Sequence, residues 1–128
     1  MSVTLNHTII HVRDKRISAQ FYAELLGVDE PAPFGHFLVL QLDNGVSLDF
    51  IDDDRPGPIP PQHYAFLVSD EQWDAIFARI RARHLPYWAD PAKRSPGEHN
   101  THFGGRGVYW EDPDGHFLEI ITKPYAVG

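Results

Sequence analysis

An internal repeat limits the possible folds of this chain more than any other feature of its sequence. The string NHTIIHVRD at residues 6–14 is matched by QHYAFLVSD at residues 62–70, with histidine, valine and aspartate in the same places. A second pair of strings, NGVSLDFI at 44–51 and DGHFLEII at 114–121, follows in the same order. Because self-similarity is the signature of a repeated structural unit, the chain is predicted to consist of two copies of one module.

Each copy is predicted to begin with a strand followed by a helix. Residues 4–12 alternate in polarity and are rich in β-branched side chains, which favours a strand. Asp14 suits the N-cap of the first helix, and Gly27 suits its end. Ser69 and Gln72 have the spacing of a capping box for the second helix. The apolar stripes that should face the sheets are Ile17, Phe21 and Leu25 in the first helix and Trp73, Ile76, Phe77 and Ile80 in the second.

The remainder of each copy is predicted to be a short strand and a hairpin. Asn-Gly and Asp-Gly turns join residues 36–43 to 46–52 and residues 106–111 to 115–122. Short strands are expected near residues 28–33 and 86–90. The chain is therefore predicted to be a single domain of residues 1–128, in which β-α-β-β-β modules at about 1–54 and 62–128 are joined by a proline-rich linker at about 55–61.

Composition excludes several classes of function. The sequence contains no apolar run of about 18 residues, so no membrane span is expected, and its N-terminus lacks the features of a signal peptide. The absence of cysteine excludes disulfides and thiolate metal sites. A net charge of −7 disfavours binding to the phosphate backbone of nucleic acids. Together these features predict a cytoplasmic protein, and nothing in them favours nucleic acid or a membrane as a partner.

Histidines and carboxylates occupy matched positions in the two copies. Residues two apart in a strand share a face, so the bulky alternate residues of the second copy should lie under its helix. This places His7 and His63 on the opposite, helix-free face, together with His11. Asp49 and Glu119 lie within apolar strands, where a carboxylate must be exposed, paired or bound to a metal.

This set of side chains is suitable for a divalent metal ion. Two imidazoles with one or two carboxylates suit Fe²⁺, Mn²⁺, Ni²⁺, Zn²⁺ or Co²⁺, and three protein ligands leave positions open for substrate. No short motif joins His7 to His63, and only the repeat makes them equivalent. His11 is either a general acid or base or a polar wall residue.

Other candidates each have a functional and a structural interpretation. The long loop at about residues 91–104 either closes over substrate or is simply exposed, and Arg106 either attracts an anionic substrate or pairs with acidic residues. His116 is predicted to be exposed, and His84 to be structural at a helix C-terminus. The remaining side chains of this kind belong to the loop (His99, Asn100, His102) or are aromatic residues that line a binding site or pack in the core (Phe37, Trp88, Tyr109, Trp110).

The strings FYAELLG at 21–27 and DPDGHFLE at 112–119 resemble the vicinal oxygen chelate superfamily, which includes glyoxalase, bleomycin resistance and extradiol dioxygenase-like proteins. The resemblance implies an α+β fold of two tandem βαβββ modules that form a half-barrel cup. It implies that His7, His63 and Glu119 bind the metal, and that Asp49, one methylene shorter than the usual fourth ligand, is a further candidate. It also implies a homodimer, in which His7 can come from the second subunit.

Two functions follow from that resemblance. The first is a metal-dependent dioxygenase, lyase or isomerase acting on a small oxygenated molecule, with Glu119, Asp49 and His11 as candidate catalytic residues. The alternative is a metal-free protein that sequesters a drug or other planar ligand between aromatic side chains. The matched His7, His63 and Glu119 favour the first, because a sequestering protein needs no metal ligands. A module that only dimerises or regulates has no specific support in the sequence.

Overall fold

The structure, a computed structural model, describes residues 2–125, and the chain divides into two compact units at Pro60 and Pro61. The first unit contains β1 (His7–Val12), α1 (Lys15–Leu26), β2 (Ala32–Phe34), β3 (Phe37–Gln41) and β4 (Ser47–Asp52). The second contains β5 (His63–Leu67), α2 (Asp70–Ala82), β6 (Tyr87–Trp88), a 3-10 turn (His102–Gly104), β7 (Gly107–Glu111) and β8 (Phe117–Ile121). The predicted α+β fold of tandem βαβββ modules is confirmed.

Each unit contains one mixed four-stranded sheet, and the two sheets have equivalent registers. The strand orders are β1-β4-β3-β2 and β5-β8-β7-β6, with the first strand parallel to the last and the other pairs antiparallel. Asp49 lies opposite Ile9 in the first sheet, and Glu119 lies opposite Ala65 in the second. The two carboxylates therefore occupy equivalent places, as the repeat predicted.

The helix ends agree with the caps that the sequence predicted. The Asp14 carboxylate accepts hydrogen bonds from the backbone N–H groups of Arg16 and Ile17 at 3.0 and 3.3 Å. Gly27 ends α1 with a φ of 72°, a left-handed conformation that glycine adopts without steric cost. At the start of α2, Ser69 and Gln72 form the predicted capping box.

The predicted apolar stripe is confirmed for α2 but is partly wrong for α1. Trp73, Ile76 and Ile80 are buried in α2, whereas Ile17 of α1 is 60% exposed. The buried face of α1 is instead formed mainly by small residues and one tyrosine, namely Ser18, Ala19, Tyr22, Ala23 and Leu25. Small side chains let a helix lie close to its sheet, and a search for large apolar residues does not detect them.

In the first unit, one face of the sheet packs against the helix. Ile10, Val12, Leu40 and Phe50 are fully buried there. The opposite face is free of helices and carries a groove of about 570 Å³ in which His7 and Asp49 are both lining residues. The predicted placement of His7 on the helix-free face is therefore confirmed.

The linker begins with a segment that Arg13 holds in place. The Arg13 guanidinium donates to the backbone carbonyls of Asp53 and Arg55 at 2.9 and 2.8 Å, and also to that of Gly57. Ile59 is 6% exposed, so the linker also contributes a side chain to the core. The prediction of a single domain that spans both modules stays a prediction. Among residues 2–125, no helix is both long enough and apolar enough to cross a membrane.

Candidate metal centre

Glu119 lies in the middle of β8 and is the most deeply buried carboxylate at the candidate site. It is 1% exposed and is flanked across the sheet by Ala65 of β5 and Tyr109 of β7. A carboxylate taken out of water in this way needs partners for both of its oxygens, because an unpaired buried charge is costly.

Each oxygen of Glu119 has a partner. The imidazole Nε2 of His63 lies 3.1 Å from Oε1, and the hydroxyl of Tyr125 donates a hydrogen bond to Oε2. The Tyr125 hydroxyl is in turn 3.2 Å from that of Tyr109. Glu119 is therefore held between one imidazole and a pair of tyrosines.

The geometry of His63 and Glu119 fits two ligands of one metal ion. The His63 side chain is 48% exposed, so its ring lies at the surface while the carboxylate lies beneath it. Nitrogen and oxygen ligands lie about 2.1 Å from such ions, so two ligands at roughly a right angle are about 3 Å apart. The observed 3.1 Å between Nε2 and Oε1 is close to that spacing. An imidazole and a carboxylate are also a donor set that first-row divalent metals accept.

Both tyrosines keep their hydroxyl protons at neutral pH. Burial is the main cause that raises the pKa of Tyr109, and the hydrogen bond with Tyr125 and the nearby Glu119 carboxylate raise it further. Burial also raises the pKa of Tyr125, together with its hydrogen bond to Glu119. The Tyr125 hydroxyl therefore remains a donor to the carboxylate.

Aromatic rings extend from the His63 and Glu119 pair across the helix-free face of the second sheet. Phe117 stacks on Tyr109 with a centroid distance of 5.2 Å and an interplanar angle of 19°, and Trp88 lies 5.9 Å from Phe117. The Lys93 ammonium lies 4.8 Å from the centroid of Trp88 and forms an ion pair of 2.6 Å with Glu111. The surface beside the candidate centre is therefore aromatic and bounded by a charged pair.

The equivalent residues of the first unit have different partners. His7 Nδ1 lies 2.7 Å from the side-chain oxygen of Asn6, which can only accept, so this hydrogen bond leaves Nε2 available as a metal ligand. Asp49 accepts from the Ser47 hydroxyl at 2.8 Å. His7 and Asp49 line one groove, but each is hydrogen-bonded to a neighbour on its own strand or just before it.

The structure thus brings together two of the predicted ligands, His63 and Glu119. Within residues 2–125, no group of three or more His, Asp or Glu side chains is close enough to hold a metal ion. His11 lies with Nδ1 3.0 Å from Asp53 Oδ2, and its side chain is 45% exposed. The roles of His7, Asp49 and His11 in metal binding or catalysis stay predictions.

Arg106 and most of the long-loop candidates make structural contacts within the second unit. Arg106 pairs with Asp74 at 2.7 Å and Asp70 at 3.1 Å, and its guanidinium lies 4.2 Å from the centroid of Trp73. His99 packs edge-on against Trp73 of α2 at 5.2 Å. Asn100 donates to the backbone carbonyl of Ala89 at 2.8 Å. These contacts fasten the loop to α2 and to β6.

The prediction that His116 is exposed is wrong. Its side chain is fully buried, and its Nδ1 accepts a hydrogen bond of 2.9 Å from the backbone N–H of Gln62. The Asp112 carboxylate also accepts from the backbone N–H of His116 at 2.8 Å. Turn residues are usually exposed, but here the turn before β8 folds under the start of β5. His116 therefore helps to hold the backbone next to His63.

Three residues that contact Glu119 or the aromatic rings beside it were missed by the sequence reasoning. Phe117 lies two residues before Glu119, so strand periodicity already predicts that both share a face. Tyr125 and Lys93 lie outside the strands, and nothing in their local sequence indicates their contacts. Among the aromatic candidates, Trp110 is fully buried in the core, whereas Trp88 and Phe37 lie on helix-free faces.

Several known proteins are similar to this chain in sequence or in structure. Oxidase ChaP-H1 is 60% identical with a TM-score of 0.94, and the match covers 98% of this chain and 100% of that chain. Oxidase ChaP-H2 is 54% identical with a TM-score of 0.93, and the match covers 100% and 99% of the two chains. The glutathione transferase FosA of Serratia marcescens is 32% identical over 133 residues, which span 98% of this chain and 85% of FosA.

The sequence profile of one superfamily matches almost the whole chain. The matched region is residues 4–120, which includes both modules and all of the proposed ligands. This match and the tandem βαβββ fold confirm the resemblance that FYAELLG and DPDGHFLE indicated. The chain therefore belongs to the Glyoxalase/Bleomycin resistance protein/Dioxygenase superfamily.

Proposed function

We propose that this chain is a metal-dependent oxidase of the vicinal oxygen chelate type, which acts on a small oxygenated molecule. The observation that carries this proposal is the pairing of His63 with the buried carboxylate of Glu119 at 3.1 Å. A carboxylate buried beneath an exposed imidazole is costly to maintain for structure alone, and it is suited to hold a cation.

The two oxidases of similar sequence support an oxidation as the reaction. Identities of 60% and 54% over nearly the full length of each chain make a shared class of reaction the simplest interpretation. The glutathione transferase FosA, at 32% identity, is more distant. In an oxidase reaction, dioxygen accepts the electrons that the substrate loses.

The proposed ligands are His63 and Glu119 from the second module and His7 from a first module, with Asp49 as a candidate fourth. When bound, a divalent ion stabilises negative charge that develops on substrate oxygens. His63 and Glu119 would hold the ion, and the protonated hydroxyls of Tyr125 and Tyr109 lie beside the Glu119 carboxylate. Asp49 and His11 remain the candidates for moving a proton to or from the substrate.

The aromatic face supports a flat, unsaturated substrate. The partly exposed rings of Phe117 and Trp88 lie beside the proposed centre, with the buried Tyr109 ring stacked on Phe117, and stacking on such rings is favourable for planar ligands. Two oxygens on neighbouring atoms of such a substrate would be the groups that bind the ion. We further propose that the protein works in the cytoplasm as a homodimer.

Metal analysis tests the first step of this proposal. Protein purified without chelators or a nickel column is expected to contain or take up one equivalent of Fe²⁺, Mn²⁺, Ni²⁺, Zn²⁺ or Co²⁺ per site. His63→Ala is expected to lose that binding, and His36→Ala, which changes an exposed histidine outside the proposed site, is expected to retain it. Absence of metal binding together with tight binding of a planar aromatic drug would instead identify a sequestering protein.

Oxygen consumption tests the reaction itself. The metal-loaded protein is expected to consume dioxygen with at least one member of a panel of vicinally hydroxylated aromatic compounds, and His63→Ala is expected to be inactive. Metal binding without oxygen consumption, together with transfer of glutathione to an electrophile, would contradict the oxidase proposal and favour FosA-like chemistry.

Mixed variants test where His7 comes from. If a second subunit supplies His7, a dimer of one His7→Ala chain and one His63→Ala chain contains one intact set of ligands, and metal binding returns to one ion per mixed dimer. If both histidines come from the same chain, the mixture binds no more metal than the separate variants.

A further inference from the structure

The residues that follow β8 return to the candidate site. The backbone N–H of Thr122 donates to the carbonyl of Arg106 at 3.0 Å, and the Arg106 N–H donates to the Thr122 hydroxyl at 2.8 Å. These two hydrogen bonds keep the segment beside the start of β7. Three residues further on, the Tyr125 hydroxyl reaches Glu119.

The long loop before β7 also contacts Tyr125, through an aromatic ring. The Phe103 ring lies 5.2 Å from the Tyr125 ring, with an interplanar angle of 40°. Phe103 has a φ of 58°, which is uncommon for a residue with a large side chain. Gly105 lets Lys123 approach, since a Cβ at Gly105 would lie 2.7 Å from Lys123 Cγ. The loop and the C-terminal segment therefore together place one hydroxyl on Glu119.

We propose that Tyr125 is a positioning residue, whose hydroxyl holds Glu119 Oε2 so that Oε1 is presented beside His63 to a divalent metal ion. This inference rests on the proposed function. Nothing in the local sequence distinguishes this tyrosine, and it does not belong to the predicted set of metal ligands.

Glu119 needs a positioning partner because its side chain is otherwise free to rotate. A carboxylate held at one oxygen offers only the other oxygen to a metal ion, and the orientation of its plane is set in advance. Without the hydroxyl, Glu119 can rotate about its terminal torsion, which has a broad energy profile. Hydrogen-bond partners of metal ligands typically contribute a factor of about 10–100 to metal affinity for this reason. The Tyr109 hydroxyl lies 3.2 Å from that of Tyr125 and so helps to hold the Tyr125 hydroxyl in place.

Titration of the metal-free protein with Co²⁺ alone tests the inference, with absorbance and calorimetry as readouts. Tyr125→Phe keeps the ring on Phe103 and removes only the hydroxyl. We expect its Kd for Co²⁺ to rise by about 10-fold, and the visible spectrum of the bound ion to change because the carboxylate reorients. Tyr87→Phe is the matched control, since Tyr87 packs against Phe77 of α2 at 5.0 Å, and it should leave both readouts unchanged.

The outcomes separate this inference from the proposed function. If wild type binds Co²⁺ and Tyr125→Phe binds it with the same or a lower Kd and the same spectrum, Tyr125 does not position Glu119. If wild type binds no Co²⁺, the metal-dependent function and the inference both fail. If Tyr125→Phe does not fold, Tyr109→Phe replaces it, with a smaller rise in Kd expected, and an unchanged Kd in that variant would overturn the inference.

Discussion

The Oε1 atom of Glu119 lies 3.1 Å from Nε2 of His63, although the two residues are 56 positions apart in the chain. The contact exists because β5 and β8 are parallel neighbours, with His63 opposite Phe117 and Glu119 opposite Ala65. The two side chains therefore lie diagonally on one face, and the long glutamate side chain spans the gap. The equivalent Asp49 is shorter, and it is hydrogen-bonded to Ser47 of its own strand.

Replacing the buried carboxylate with an amide separates its binding role from its structural role. In Glu119→Gln, we expect metal affinity to fall by more than about 100-fold. This exceeds the typical effect of losing a residue that only hydrogen-bonds to a metal ligand. The free energy of unfolding of the metal-free protein should change by less than about 1 kcal/mol, since an amide keeps the shape and removes a buried charge. Metal titration and urea unfolding measure the two effects. Glu111→Gln, on the same face, is the control, and a similar loss of affinity in it would contradict the assignment.

The close approach of the C-terminal segment predicts that Gly105 does not tolerate a methyl group. The φ of Gly105 is −117°, so alanine can adopt its backbone conformation. However, a Cβ there would lie 2.7 Å from both Lys123 Cγ and Thr122 Oγ1. We expect Gly105→Ala to lower the free energy of unfolding by about 1–3 kcal/mol.

Thermal or urea unfolding checks that effect of Gly105→Ala. Adding Lys123→Ala to the variant removes one of the two clashing atoms, so part of the stability should return. A double variant no more stable than Gly105→Ala would show that the clash with Lys123 is not the cause.

The buried hydrogen bond of His116 predicts a loss of stability on substitution. His116→Ala removes the acceptor for the Gln62 N–H, and the loss of a buried partner typically costs about 1–3 kcal/mol. Urea unfolding at neutral pH measures this cost. His36→Ala, at an exposed position, should change the free energy of unfolding by less than about 0.5 kcal/mol. Equal effects of the two substitutions would argue against the role assigned to His116.

Asp53 gives the stability of the first unit a dependence on pH. The hydrogen bond from the Arg55 side chain, followed by that from the Arg55 backbone N–H, holds the pKa of Asp53 well below its ordinary value of 3.8. A carboxyl group with a lowered pKa in the folded state stabilises the protein above its unfolded pKa. That contribution is lost as the pH falls toward the folded value.

Asp53→Asn should therefore be less stable than wild type near neutral pH, and the difference should shrink as the pH falls below 3.8. Urea unfolding at about pH 7 and about pH 3 checks the sign. The exposed neighbour Asp54 offers Asp54→Asn as a control with a smaller effect. A difference between Asp53→Asn and wild type that grows on acidification would contradict the role of Asp53.

Local sequence was sufficient for much of the fold. The caps at Asp14 and Ser69 and the end of α1 at Gly27 depend on neighbours within four residues, so they could be predicted. The errors at Ile17 and His116 have a different origin. How a helix rotates on its sheet, and which turn folds beneath which strand, depend on packing between distant segments.

By itself, the sequence determined the two βαβββ modules, the helix-free faces on which His7 and His63 lie, and the matched strand positions of Asp49 and Glu119. It could do so because strand periodicity and helix capping are short-range effects. Only the tertiary structure decided which partners Glu119 has. Glu119 lies between His63 and Tyr125 because β5 and the segment after β8 come together there. Asp49 lies beside Ser47, since its shorter side chain forms that bond within the strand.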